Sequence, residues 1–435
     1  MKGLFPTLAV LTACLARPIL AQRNPDASLL REIESIRAID SHAHPAPYAP
    51  TGTGHSVPDS VPPFGPPARL RPSNPEYREA WHRLWGYDPS AKAPVDPPEI
   101  LRRRQSVMRE FGDGYPAWVL DRLGIETMMA NHSVLGPGLV QPRFRWVWDV
   151  NPVLFPLDNS AAKINPQRAS DFTQDEALLR GYLAAERFSA MPSSLSEYLD
   201  SFVTPLMAAR KEQGAMSVKI YAAYERSLDF RTDVPEGEAA ATYARWVYGG
   251  APDPAAYTRL QDFIFHRVAR EAGKLGLPVQ IHVGAGAGPW FYNSGASPFL
   301  LDPVLNDPAL RGTTFILVHG GLPFAAAVRY LLGRPNVYAD FSSQGFLTSP
   351  REMSAVLRSW LSGFPEKVMF GTDAYPLTTT VGWEEVGWLS ARSGRRALAL
   401  ALTGMIEDHE ITRGRASEIA RMVMRENARR AYGLP

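Results

Sequence analysis

At 435 residues, with 45% hydrophobic and 21% charged residues, the chain has the composition of a globular protein that buries a sizeable core. Its 46 basic and 44 acidic residues leave a net charge of +2, so neither nucleic acid nor an acidic membrane surface is an expected partner. Cys14 is the single cysteine, which excludes an intrachain disulfide, and no repeat of fixed period suggests a solenoid or propeller.

The first element is "MKGLFPTLAVLTACLARPILAQ", a lysine, an apolar stretch and then polar "QRNPD". It reads as a signal peptide over residues 1–21, leaving 22–435 as one exported domain, periplasmic or extracellular. The apolar stretch is too short for a membrane span. "LTAC" at 11–14 offers a lesser alternative, a lipoprotein with Cys14 as the lipidated residue.

After a short amphipathic helix in "LLREIESI", the run "IRAID" predicts a first strand over 36–41, ending at "SHAHP". In a strand, side chains at i and i+2 share a face, so His42 and His44 lie side by side at its end. Residues 45–100 are dense in proline and too long for a simple connection, and we read 45–125 as an insertion or lid beside a site. It includes a helix in "PPEILRRRQSVMREFGDG", stopped by Gly112 and Gly114. "IETMMANHS" and "FRWVWDVNPVLFP" predict two more buried strands.

From residue 216 the pattern is regular. Strands in "MSVKIYAAY", "LPVQIHVGAGAG", "TTFILVHGG", "NVYADFSS" and "EKVMFGTDAYP" alternate with helices, and "ASEIARMVMRENARRAYGL" closes the chain as a helix. Strands separated by helices at this spacing imply a parallel sheet with right-handed crossovers. With three earlier strands the total is eight, which predicts an α/β fold, a (β/α)8 TIM barrel with a long insertion after strand 1 and a C-terminal helix. An open doubly wound sheet is the alternative, but no G-x-G-x-x-G follows an N-terminal strand.

The polar residues then fall at strand ends. His282 ends "PVQIH", His319 ends "FILVH", Asp373 follows "VMFGT", and Lys219 sits inside "SVKIY". With His42 and His44, five different strands each bring a ligating or titrating group to the barrel rim where catalytic residues converge. Imidazole and carboxylate are the usual ligands of a catalytic Zn²⁺, which lowers the pKa of a bound water from about 16 to roughly 7. An aspartate such as Asp373 can accept the water's proton and pass it to a leaving group. A lysine in an apolar strand has a depressed pKa, and its neutral amine can capture CO₂ as a carbamate that bridges two metals.

This pattern resembles the amidohydrolase superfamily. "FGTDAYP", "LVHGG" and "ENARRAYGL" look like its amidohydrolase-2 branch, and "VKIYAAYERSLDF" with "PVQIHVGAG" is similar to the N-terminal domain of the FluG and nodulin-related proteins. The resemblance implies that His42, His44, His282 and Asp373 bind metal, and that His319 is a further ligand or a general acid/base. Lys219 is implied as a bridging ligand when carboxylated, although many members of that branch bind one metal and lack it. One or two zinc ions, or other divalent metals, are the implied cofactors.

For the substrate, Tyr224 and Arg226 follow Lys219 on one loop, and Arg226 suits either a substrate carboxylate or a surface salt bridge. Trp290, with Phe291, Tyr292 and Tyr375, suits either a ring-bearing ligand or packing. "GAGAGPW" is read as a loop that lets backbone approach the substrate. His55, His82, His132, His266 and His409 lack supporting partners and are read as structural or exposed. The expected activity is metal-dependent hydrolysis of an amide, lactam, lactone or related bond of a small molecule, a non-peptide carbon–nitrogen bond first among these. A metal-dependent decarboxylase is the alternative, and a non-catalytic metal-binding barrel a further one.

Overall fold

Eight short apolar runs become eight strands in the computed structural model, which describes residues 24–49, 67–88 and 94–435. They are β1 (Ala38–Ala43), β2 (Ile125–His132), β3 (Phe144–Asp149), β4 (Ala215–Ile220), β5 (Val279–His282), β6 (Phe315–Val318), β7 (Val337–Asp340) and β8 (Val368–Met369). Neighbours in sequence are neighbours in the sheet, and every pair is parallel. The ring closes between the last strand and the first. Ser41 N donates to Phe370 O (2.9 Å), Asp373 N to His42 O (2.8 Å) and His44 N to Ala374 O (2.7 Å). The predicted TIM barrel is the observed fold, and the expected signal segment, Cys14 and His55 lie outside the described residues.

Alternation at period two decides what faces inward. On β4, Val218 and Ile220 join the apolar layer beneath the helices, so Lys219 points the other way; on β5, Val279 and Ile281 do the same and leave Gln280 and His282 inside. Lower in the barrel Ile39, Met129, Val147, Ile316, Val318 and Met369 form a separate apolar cluster with Tyr432 of the terminal helix Asn427–Tyr432. Two local expectations change. β1 runs on to Ala43, so His42 is inside the strand rather than just past it. "NPVL" is a tight 3₁₀ turn, Asn151–Leu154, because Pro152 lacks the amide a strand would need. No helix separates β2 from β3.

The helices use standard end signals. Pro254–Leu275 starts at Asp253, whose carboxylate accepts from Ala256 N, and stops at Gly276 in the left-handed region. The proline-dense stretch contains Glu76–Trp85 and Pro97–Phe111. Both clamp the segment that follows β8: Trp81 Nε1 donates to Thr380 O (3.0 Å), while Arg104 donates to Thr379 O (3.0 Å) and to buried Glu385 (2.7 Å). That segment carries Asp373 near its start, so these two helices brace one wall of the barrel mouth. No helix among the described residues is long and apolar enough to cross a membrane.

Candidate metal centre

His42 is wholly buried and its tautomer follows from its neighbours. The Ser41 carbonyl can only accept, and Gln280 Nε2 donates to it at 2.9 Å. Gln280 Oε1 must then face His42 Nδ1, 2.9 Å away, so Nδ1 carries the hydrogen. Tyr432 OH, which donates to the same Ser41 carbonyl (2.9 Å) and receives from Gln280 Nε2 (2.8 Å), locks the amide. His42 therefore presents a bare Nε2 to Lys219 Nζ (3.3 Å) and to Asp373 Oδ1 (3.4 Å). His44 Nε2 lies 3.6 Å from the same carboxylate oxygen. The His44 side chain is 40% exposed at the mouth. His132 sits beside it, its Nε2 hydrogen-bonded to Pro45 O at 2.8 Å.

The other two histidines face each other across β5 and β6. His282 Nδ1 and His319 Nε2 are 3.1 Å apart, and each residue is 4% exposed. His282 Nε2 is buried with no hydrogen-bond partner, a state that costs free energy unless something else occupies its lone pair. His319 Nδ1 meets Ser342 Oγ (2.9 Å) and Ser343 Oγ (3.0 Å). Ser343 also donates to Asp373 Oδ2 at 2.5 Å. The ring of His42 is 5.2 Å from that of His319, centroid to centroid, so the two halves form one cluster.

Backbone strain gathers at this point. Five non-glycine residues among those described have positive φ, and three of them are His319 (71°), Ser343 (63°) and Asp373 (52°). Such conformations cost on the order of 1–3 kcal/mol each and persist where the surroundings force them. Gly320 shares the turn with His319, and a Cβ there would lie 2.1 Å from the Trp360 ring.

Charge in the cluster is set by burial. Asp373 is pushed up to about 7 by desolvation, against which Ser343 and Lys219 act. Lys219, 2% exposed, is pushed down to about 8 by desolvation, partly offset by Asp373, Asp340 and Asp149. Burial holds His42, His282 and His319 well below the usual imidazole value, with Lys219 adding to the effect at each, so they are neutral and able to ligate. His42, His44 and Asp373 each offer one donor atom within 4.8 Å of the others. Neutral imidazoles, a carboxylate, a bare Nε2 on His42 and an orphaned one on His282 make a donor set that fits a divalent cation such as zinc.

The structure thus brings His42, His44, Lys219, His282, His319 and Asp373 together, with Tyr224 packed 4.7 Å from the His282 ring. It does not bring Arg226 there. Its guanidinium is used on Asp262 (2.7 Å), Gln261 Oε1 (3.0 Å) and the carbonyls of Ser227, Thr258 and Asp229. Nor is Trp290 packed into the cluster: it is 66% exposed, and Phe291 turns inward instead, 5.0 Å from Tyr224 and 6.0 Å from His282. Gly286 permits this, since a Cβ there would meet the Phe291 ring at 2.3 Å. His266 pairs with Asp307 (2.7 Å), while His82 and His409 are exposed. Sequence reading missed Gln280, Ser342, Ser343 and Asp149. Asp149 ends β3 in register with Lys219 and is pushed up to about 7 by burial, and its place at a strand end was the mark that could have found it.

The model of a family described as amidohydrolase matches residues 183–434. No curated protein matches the chain. Among solved structures, a protein from Lactobacillus casei ATCC 334 assigned as a metal-dependent hydrolase is similar with a TM-score of 0.60 and 16% identity, over 94% of this chain and 98% of that one. Uronate isomerase from Thermotoga maritima has a TM-score of 0.59 and 13% identity, over 93% and 96%. Glucuronate isomerase from Caulobacter crescentus has 0.56 and 16%, over 94% and 93%. At these identities the likeness is one of fold.

Proposed function

The chain belongs to the amidohydrolase family, and from that premise we propose that it is a metal-dependent hydrolase of small molecules, cleaving an amide, lactam, lactone or related bond. The observation that carries the reading is that donor atoms of His42, His44 and Asp373 lie within 4.8 Å of one another, in a cluster that His319 links to His282, whose Nε2 has no hydrogen-bond partner. His42, His44 and Asp373 would hold the ion, and His282 is the further candidate donor. When bound, zinc supplies a water acidified to a pKa of roughly 7 and polarises the scissile carbonyl. Asp373 accepts the proton released at the attacking water, and its elevated proton affinity lets it return that proton to the leaving nitrogen or oxygen. Tyr224 packs against the His282 ring on one side of the centre. Phe291 and Tyr224 give that side of the mouth an apolar surface, which suits a substrate with a hydrocarbon or ring portion.

A second reading is a one-metal decarboxylase, favoured by the fact that the converging triad describes a single ion position. Elemental mass spectrometry of protein purified without chelator, with turnover of amide, lactam and lactone panels, separates the two. Hydrolysis abolished by chelator and restored by zinc supports the hydrolase. CO₂ release from carboxylate substrates without hydrolysis of any panel member establishes the lyase instead.

A further inference from the structure

We propose that the adjacent serines Ser342 and Ser343 are positioning residues that fix His319 as its Nδ1–H tautomer and, through Ser343, determine which oxygen of Asp373 faces the histidine pair. The inference rests on the metal-centre reading and names the residues that orient its donors.

A hydroxyl has one hydrogen to give. Ser342 gives its hydrogen to Asp340 Oδ1 at 2.5 Å, and Ser343 gives its own to Asp373 Oδ2 at 2.5 Å. Each serine oxygen can then only accept from the imidazole it touches. His319 Nδ1, 2.9 Å from Ser342 Oγ and 3.0 Å from Ser343 Oγ, must therefore carry the hydrogen and share it between them. That leaves Nε2 of His319 bare. It faces His282 Nδ1 at 3.1 Å, so His282 donates from Nδ1, and its own bare nitrogen is the Nε2 found buried without a partner. One run of hydrogen bonds, anchored on two carboxylates, thus sets the lone pairs of both histidines.

The anchors are themselves held. Asp340 accepts from His319 N (2.9 Å), Ser342 N (3.0 Å) and Ser41 Oγ (3.0 Å), so it is an acceptor throughout. With Oδ2 of Asp373 taken by Ser343, Oδ1 is the oxygen left for His42 Nε2 and His44 Nε2, at 3.4 and 3.6 Å. Ser343 does this from φ 63°, ψ −41°, a backbone region that side-chain-bearing residues rarely adopt and glycine tolerates. A residue chosen for backbone comfort alone would be glycine. The hydroxyl is what a serine adds there.

Ser343→Gly removes that hydroxyl while relaxing the backbone, so a defect in ligand geometry separates from a defect in folding. In the full chain, the expected result is a metal-free melting temperature no lower than wild type and a zinc(II) affinity, measured by chelator competition, weaker by about tenfold or more. Nitrogen-15 spectra of histidine-labelled, metal-free protein, with the His319 signals identified by their loss in His319→Gln, should show the Nδ1–H form in wild type. That form should lose its dominance in the Ser342→Ala/Ser343→Gly double variant. An Nε2–H His319 in wild type, or wild-type zinc affinity in Ser343→Gly, overturns the inference. Failure of wild type to take up zinc overturns the metal-centre reading instead, and the metal-free spectra still decide the role of the serines.

Discussion

Arg226 is bound to Asp262 at 2.7 Å, and the Asp262 side chain has no solvent exposure at all. Burial lowers the arginine and raises the aspartate, and each partner opposes the shift of the other. Removing one member of such a pair strands a buried charge, which costs about 3–5 kcal/mol. Arg226→Ala should therefore lower the melting temperature sharply while leaving KM unchanged for any substrate the wild type accepts. Arg226→Lys should fall between, since an ammonium cannot reproduce the guanidinium fork. A raised KM at wild-type stability would return Arg226 to the substrate.

The amide of Gln280 lies beneath the metal-centre residues and holds His42 by Nδ1. Gln280→Leu takes away the acceptor that fixes the ring, and zinc affinity should fall by about 10- to 100-fold, as measured by chelator competition. Tyr432→Phe deletes one hydroxyl that steadies the amide, and its effect should have the same sign and be smaller. Equal affinities in all three proteins would show that His42 needs no such support.

Asp373→Asn keeps the shape and removes the negative charge. As both ion ligand and proton acceptor in the proposed hydrolase, Asp373 should be worth about 10²- to 10⁴-fold in kcat. Metal content, read by elemental analysis, should fall below that of wild type. Full metal content with full turnover would remove Asp373 from the mechanism.

Glu225 and Asp175 are buried together. Asn151 Nδ2 bonds both, at 2.9 Å and 2.7 Å, and Tyr221 OH donates to Asp175 at 2.6 Å. Burial, then the adjacent Asp175, raises Glu225 well above the usual 4.5. A raised folded-state pKa adds stability that is complete below the unfolded value and lost as pH climbs through the folded one. Wild type should therefore lose stability above about pH 4.5, the loss growing with pH. Glu225→Gln, a permanent donor to Asp175, should flatten the curve. Melting temperatures from pH 4 to 8.5 test this, and parallel curves for the two proteins would refute it.

The six polar residues at strand ends were legible because each interrupts an apolar run, and a parallel barrel collects such interruptions at one rim. Gln280 was not, since a glutamine inside "PVQIH" looks like any strand residue until His42, far away in sequence, is placed beside it. Ser342 and Ser343 look like loop filler in "ADFSSQG". Their importance lies in which atoms their protons go to, and only the folded positions of Asp340 and Asp373 decide that. Trp290 and Phe291 are both aromatic and nothing in the sequence ranks them; the turn allowed by Gly286 is what distinguishes them.

The seam of the barrel gives the chain an order of completion. His42 and Asp373 are joined where the first strand meets the last, His42 O accepting from Asp373 N. A nascent chain therefore holds two of the three converging donors almost from the start, yet cannot present the third until its final strand has been made. Truncation anywhere before residue 373 leaves a histidine pair with no carboxylate opposite it. A cation held by all three would grip only the shut ring, acting as a latch on the first and last strands and opposing the opening of that seam.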